Sequence, residues 1–311
     1  MAKRPRAFSS SGQESPRFGE ASPEVLSDFL SDLNNSNKSR LQNISSLCGN
    51  FKQGKVVEHA FLICEELGLD ASVGYHAVEI LDRFMVQHIE NFIISQRSEA
   101  GEGPSCRAKK HNEDLIYQSF RGKFQIFLLS SVQIASKLAL HSSAVHNDSA
   151  SRYLQSLGSS CPEEKLLETE LLILKTLDFQ LNMPNPLLYV ETLLEVLAHN
   201  VPTMPVAQLH HLCRYVLQFI YLKRGPVYQS LLVAATGCLN PSPEQREKFV
   251  SVTEDCMLLG VGVITVSAYI YQTSVWEKVV EELTLITGIS ARSIIDFAHV
   301  TLMHITKNRA P

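Results

Sequence analysis

The chain has 311 residues, 45% of them hydrophobic and 19% charged, which is enough apolar material for two domains of ordinary size. Its 28 basic and 32 acidic side chains leave a net charge of −4, which argues against coating nucleic acid or a membrane surface through bulk charge. The seven cysteines are odd in number and form no CxxC pair, which disfavours a disulfide framework or a zinc ribbon.

The N-terminal stretch over residues 1–21 is rich in Ser, Gly, Pro and Arg and poor in aliphatic side chains. Such a stretch buries too little apolar surface to offset its chain entropy, so we predict a disordered tail. Ser15 and Ser22 each precede a proline and are candidate phosphorylation sites for proline-directed kinases. The basic cluster Lys3-Arg4-Pro5-Arg6 is a candidate part of a nuclear-import signal.

An N-terminal helical segment is predicted over residues 22–50. Ser22 suits the N-cap position and Pro23 the first helical position. The apolar side chains that follow recur at helical spacing: Val25, Leu26, Phe29, Leu30 and Leu33. Because so short a helix is marginal alone, we expect it to dock on the main body or on a partner.

A first helical bundle is predicted over residues 51–182. Apolar periodicity places helices over 55–67, 72–92, 124–140 and 162–177. A long polar connection over 95–114 is either a functional loop or a tolerated insertion. Two X-Pro pairs at 183–186 break the pattern, and we place the domain boundary there.

A second helical bundle is predicted over residues 183–307, which makes the fold all-α with two consecutive bundles of about five helices. Its helices fall over 186–198, 206–222, 257–273, 275–287 and 291–305. Asn185 and Ser290 suit N-caps, and Gly288 suits a C-cap.

One stretch of the second bundle, residues 256–276, carries no charge. A spanning helix is normally more uniformly apolar and has basic anchors, whereas this stretch contains Gly, Ser and Thr and is flanked by Asp255 and Glu277. The composition favours a central helix surrounded by other helices.

No catalytic or metal-binding group stands out. His210 and Cys213 share a helix face, but two ligands do not make a metal site. We therefore predict a protein that is not an enzyme and has no metal, cofactor or small-molecule substrate.

Two charged residues have apolar helical neighbours. Glu170 has leucine or isoleucine at the positions three and four residues away on both sides, and Lys137 has Ile134 and Leu140 at three. Each charge either pairs inside the fold or reaches water, or it is presented bare to another protein. We predict that both charges are presented bare to another protein.

Three segments resemble the cyclin box. Residues 77–84 read AVEILDRF, residues 121–125 read RGKFQ with ASK following at 135–137, and residues 170–179 read ELLILKTLDF. They occur in the order found in cyclins and within one predicted bundle. The resemblance implies a cyclin N-terminal box over 51–182 and a degenerate second cyclin-like fold over 183–307.

The resemblance assigns roles to individual residues. Side chains that match positions by which cyclins bind the regulatory helix of their kinase are Lys137, Glu170, Phe179 and Leu181. Positions with a structural role are Asp82, Arg83 and Gln125. The arginine that pairs with the aspartate in cyclins is replaced by Gln53, so we expect Asp82 to use Lys52 or Lys55 instead.

The motif by which cyclins dock substrates is altered. It reads Lys52-Gln53-Gly54-Lys55-Val56 here, with His59 at its tryptophan position. Lysines in place of apolar anchors should not bind the usual hydrophobic docking peptides.

Within the family the chain most resembles a meiotic regulator of crossover formation. This implies a nuclear, chromosome-associated protein, also present in the cytoplasm, whose partners are a cyclin-dependent kinase and meiotic recombination proteins. Two alternatives stay open. One is a kinase-independent scaffold for recombination or ubiquitin-pathway proteins. The other is a DNA-binding transcription factor with tandem cyclin folds, which the net charge and scattered cysteines disfavour.

Overall fold

The computed structural model describes residues 16–42, 44–99, 122–139, 145, 147–156, 158, 162–181 and 185–307. This part of the chain is all-α, as predicted, and contains no strand. Its helices in chain order are α1 (Pro23–Gln42), α2 (Gly54–Glu66), α3 (Ala71–Glu99), α4 (Phe124–Leu138), α5 (Asn147–Ser156), α6 (Glu163–Thr176), α7 (Pro186–Asn200), α8 (Val206–Leu222), α9 (Arg224–Thr236), α10 (Pro243–Thr253), α11 (Cys256–Tyr271), α12 (Thr273–Thr287) and α13 (Ala291–Lys307).

The first bundle comprises α2 to α6 and is built around α4. Helix α4 is buried from Ile126 to Ser136 because α2, α3 and α6 all pack against it. Helix α3 is longer than predicted and takes up residues 95–99 of the predicted loop, whose remainder lies outside the described residues. Asp70 caps α3, since its Oδ1 accepts a hydrogen bond from the Ser72 amide at 2.8 Å.

The second bundle, α7 to α13, is built around α11 and contains two helices that the sequence analysis missed, α9 and α10. Helices α7, α8, α12 and α13 surround α11, which confirms the prediction of a central helix there. Gly262 permits the closest approach, because a Cβ atom at this position would lie 2.2 Å from the Phe297 ring. Among the described residues no single helix is long and apolar enough to cross a bilayer, and the one consecutive pair that qualifies, α10 with α11, is bent by 73°.

Helix α1 docks on the second bundle, although only part of its predicted apolar stripe is buried. Leu26 and Leu33 point into the body, whereas Val25 and Phe29 are exposed. The buried stripe continues into the polar half of the helix at Asn37. Asn37 accepts a hydrogen bond from the Cys256 amide at 3.1 Å and donates to Asp255, the N-cap of α11, at 2.8 Å. Helix α1 therefore completes the cap of the central helix.

The segment before α1 also contacts the second bundle. The amides of Gly19, Glu20 and Ala21 donate to the Glu195 carboxylate of α7 at 2.7–2.9 Å. The predicted disorder of residues 1–21 is therefore wrong for these three. Residues 1–15 lie outside the described part of the chain.

A group of buried charges, here called the junction cluster, joins α1 and the two bundles. Lys52 Nζ lies 2.7 Å from both Glu79 of α3 and Glu254, which follows α10. The Arg224 guanidinium lies 2.5 Å from Glu254, and that of Arg40 lies 3.5 Å from Glu79. The cluster has three positive and three negative members: Arg40, Lys52, Arg224, Glu79, Asp82 and Glu254.

Candidate functional site

Lys137 and Glu170 lie together where the end of α4 crosses the middle of α6. Lys137 Nζ is 2.5 Å from Glu170 Oε1, so the prediction that both charges are bare is wrong. The two helices pack against each other, which brings together residues 33 positions apart in the chain. The pair is nevertheless at the surface, because the Lys137 side chain is 44% exposed and that of Glu170 is 12% exposed.

Large apolar side chains are exposed on the same two helices and on the turn that follows α6. On α6, Leu167 is 51% exposed and Leu171 is 45% exposed, and Leu138 next to Lys137 is also exposed. Phe179, two residues after Leu177, is 63% exposed. We call the Lys137–Glu170 pair with these four side chains the α4–α6 surface. Large apolar side chains exposed together on one surface are typical of a protein-binding surface.

The turn after α6 carries the other two predicted kinase-binding residues, Phe179 and Leu181. Asp178 and Phe179 both have positive φ, at 48° and 58°. The two predicted side chains differ in burial, since Phe179 is exposed while Leu181 packs against the core. The turn therefore places one predicted contact in solvent and anchors the other.

The predicted structural residues behave differently from one another. Asp82 is buried and accepts hydrogen bonds from the amides of Gly49, at 2.8 Å, and Phe51, at 3.0 Å. Lys52 lies 4.0 Å away, so the expected lysine contact is present at longer range. Arg83 donates to the Gln180 carbonyl at 2.7 Å and so ties α3 to the turn after α6. Gln125 is exposed in the first turn of α4 and is not part of the core.

Burial and neighbouring charges shift the titration of the junction cluster. Burial opposes ionisation of Glu79, but Lys52 and Arg40 outweigh it and lower the pKa of Glu79 to about 2. Burial raises the pKa of Asp82 to about 6, with Glu254 adding to the rise and Lys52 opposing it. Glu79 also accepts a hydrogen bond from the buried Tyr221 hydroxyl at 2.9 Å. These groups serve packing between the bundles, since they are buried away from the surface.

The altered docking motif lies against the second bundle. Lys52 is buried in the junction cluster, while Gln53 and Lys55 are exposed. Gly54 starts α2 so close to α8 that a Cβ atom there would lie 2.3 Å from the Leu222 carbonyl oxygen. The exposed part of this motif is therefore polar, as the sequence indicates.

Of the remaining predicted positions, one is described by the structure and the others are not. Ser22 is exposed and caps α1, accepting a hydrogen bond from the Val25 amide at 3.4 Å. Ser15 and Arg121, together with the break at 183–184, lie outside the described residues. Within the described part, no group of three or more His, Cys, Asp or Glu side chains could hold a metal ion.

Sequence reasoning missed the contacts that link distant segments. No motif marks Arg40, Asn37 or Glu254, because each lies in a polar stretch of the sequence. A signal did exist for Lys52, since it stands beside the position where an arginine is expected.

Comparison with known proteins gives two similar relatives, whereas no family model matches the chain. The chain is 41% identical over 292 residues to "Cyclin N-terminal domain-containing protein 1" of Homo sapiens, covering 93% of this chain and 86% of the relative. It is also 41% identical over 299 residues to the Mus musculus protein of the same name, covering 95% and 87%. With this identity over nearly the whole length, the chain belongs to the family of cyclin N-terminal domain-containing proteins.

Proposed function

We propose that this protein is a cyclin-like regulatory subunit that binds a cyclin-dependent kinase through the α4–α6 surface. The observation that carries the proposal is the Lys137–Glu170 pair, with its lysine 44% exposed, among exposed leucines and Phe179. In this role the chain supplies no catalytic residue and acts by stabilising one conformation of its partner.

The composition of the surface suits a helical partner with both apolar and polar side chains. The exposed leucines and Phe179 supply apolar area whose burial favours association. The ion pair is preorganised, so docking would bury two charges that already neutralise each other. Each charge keeps hydrogen-bonding capacity for polar groups of the partner, since a carboxylate accepts and an ammonium donates more than one bond.

Affinity capture with point variants tests the proposal. A panel of purified monomeric cyclin-dependent kinases is passed over the immobilised full-length chain, and binding is compared for wild type, Lys137→Ala and Glu170→Ala. Truncating one partner of an interface charge pair typically costs about 2–5 kcal/mol, so we expect both variants to lose most binding.

Matched controls lie on α6. Lys165→Ala and Glu168→Ala remove the same charges from other exposed positions of α6 and should leave binding unchanged. Thermal unfolding of all variants establishes that each is folded. Unchanged kinase binding in both Lys137→Ala and Glu170→Ala, or equal losses in the controls, would refute the proposal.

We further propose that the protein acts in the nucleus during meiotic prophase, on chromosomes at recombination sites. The support for this part is the sequence resemblance to a meiotic crossover regulator. Immunostaining of spread meiotic chromosomes tests it, and the expected result is discrete foci along the axes. Uniform cytoplasmic staining would contradict it.

An N-terminal helix that is free to bind partners would favour the scaffold alternative. Helix α1 is instead docked on the second bundle through Leu26, Leu33 and Asn37. Deleting α1 would therefore remove part of the cap of α11 and would not be a clean test of partner binding.

A further inference from the structure

The turn after α6 holds two residues other than glycine in a left-handed backbone conformation. Phe179 N donates a hydrogen bond to the carbonyl of Leu174, five residues earlier, at 2.9 Å. A bond of this span is part of the Schellman motif, which often ends a helix at a glycine with positive φ. Here the two residues with positive φ are Asp178 and Phe179, and both carry a Cβ atom that disfavours this conformation. Contacts from outside the helix are needed to stabilise such a turn.

Helix α3 supplies those contacts. The Arg83 guanidinium donates to the Gln180 carbonyl at 2.7 Å, and His76 Nε2 lies 3.4 Å from the Leu181 carbonyl. Arg83 and His76 are seven residues apart and thus lie on one face of α3. The carbonyls of Gln180 and Leu181, at the end of the turn, therefore both contact side chains of α3.

Leu181 strengthens the anchoring, because its side chain packs against the buried core. Phe179, two residues earlier, has no such burial and projects from the surface. The end of the turn, at Leu181, is thus held against the core, whereas Phe179 is exposed.

We infer that Arg83 is a positioning residue, which holds the strained turn so that Phe179 is presented to the partner kinase. The claim that the partner is a kinase rests on the proposed function. The claim that Arg83 holds the turn rests only on the contacts between α3 and the turn. A preorganised aromatic side chain loses less conformational freedom on binding than one that must first be ordered.

The first test needs no partner. Hydrogen exchange of the amides at residues 178–181 is measured in the free full-length chain for wild type and Arg83→Ala. Loss of one charged hydrogen bond should accelerate exchange about tenfold or more. Asn91→Ala, at an exposed position of the same helix, should leave exchange at the turn unchanged.

The second test measures affinity for whichever kinase of the panel binds the wild-type chain. Arg83→Ala should weaken binding about tenfold while the thermal unfolding midpoint stays close to that of the wild type. Adding Asp178→Gly should recover at least a third of the lost affinity, because glycine adopts positive φ without a steric penalty. A merely structural role of Arg83 predicts no such rescue.

The outcomes separate the two proposals. Unchanged exchange at residues 178–181 in Arg83→Ala overturns the inference, as does an unchanged affinity or an affinity that Asp178→Gly fails to restore. If no kinase of the panel binds the wild-type chain, the proposed function and the partner role of Arg83 both fall. The exchange result then still decides whether Arg83 holds the turn.

Discussion

Among individual side chains, buried charges determine how this fold is held together. Lys52, which the sequence offers as a partner for Asp82, is buried between Glu79 and Glu254. The burial of Lys52 near the start of α2 could be anticipated from the missing arginine beside it. Its ion pair with Glu254 could not be anticipated. The reason is physical, since ion-pair partners are chosen by three-dimensional proximity and these two are 202 residues apart.

Removing Glu254 should destabilise the chain strongly. Glu254→Ala leaves Lys52 with one close carboxylate and Arg224 without its ion pair, both in a buried site. We expect a loss of about 3–5 kcal/mol in the free energy of unfolding. Urea unfolding measures it, with the exposed Glu247→Ala as control. A loss as small as that of the control would show that the cluster is not stabilised by pairing.

The titration of Glu79 predicts a pH dependence. Its pKa in the folded chain, about 2, lies below its ordinary value of 4.5. The ionised group therefore stabilises the fold above pH 4.5, and this contribution declines as the pH falls from 4.5 towards 2. Asp82 has the opposite sign, because its pKa of about 6 exceeds its ordinary 3.8 and its contribution declines as the pH rises through that window.

A comparison with Glu79→Gln isolates the glutamate. The wild type should have the higher thermal midpoint above pH 4.5, and the difference between the two should shrink as the pH falls below that value. Differential scanning calorimetry across this range provides the measurement. A difference that stays constant with pH would mean that Glu79 acts through packing and not through its charge.

Among the helices of the described residues, periodicity predicted ten of thirteen and missed α5, α9 and α10. Helix α8 was predicted with its observed bounds, Val206–Leu222, because its stripe is regular. Helix α9 begins with Arg, Gly and Pro and has almost no preferred apolar face, and α10 is largely polar with one buried side chain, Phe249. Such helices are defined by their neighbours and not by their own pattern.

Helix α1 shows how one buried side chain can stabilise the polar half of a helix. Asn37→Ala removes the acceptor for the Cys256 amide and the donor to Asp255. We expect the free energy of unfolding to fall by about 1–3 kcal/mol, since a buried amide is left without a partner. The exposed Asn35→Ala is the matched control and should be nearly neutral in chemical denaturation. Equal effects of the two substitutions would contradict the capping role.

Across the whole molecule, the two bundles and α1 form one charge-linked body with an exposed α4–α6 surface. The sequence places Lys137 and Glu170 next to apolar residues, but it does not show that the two side chains pair with each other. The charged pair arises because α4 and α6 cross, which no local pattern reveals. The long-range links through Glu254, Arg224 and Asn37 were equally hidden, because each joins segments that are far apart in the sequence.

The most direct test of the central claim is the footprint of a bound kinase. Hydrogen exchange of the full-length chain is compared with and without a saturating cyclin-dependent kinase from the panel. We predict protection at the end of α4, along α6 and at residues 177–181, with exchange in α8 and α13 unchanged. Protection confined to the second bundle or to the polar face of α2, with none on α6, would contradict the account.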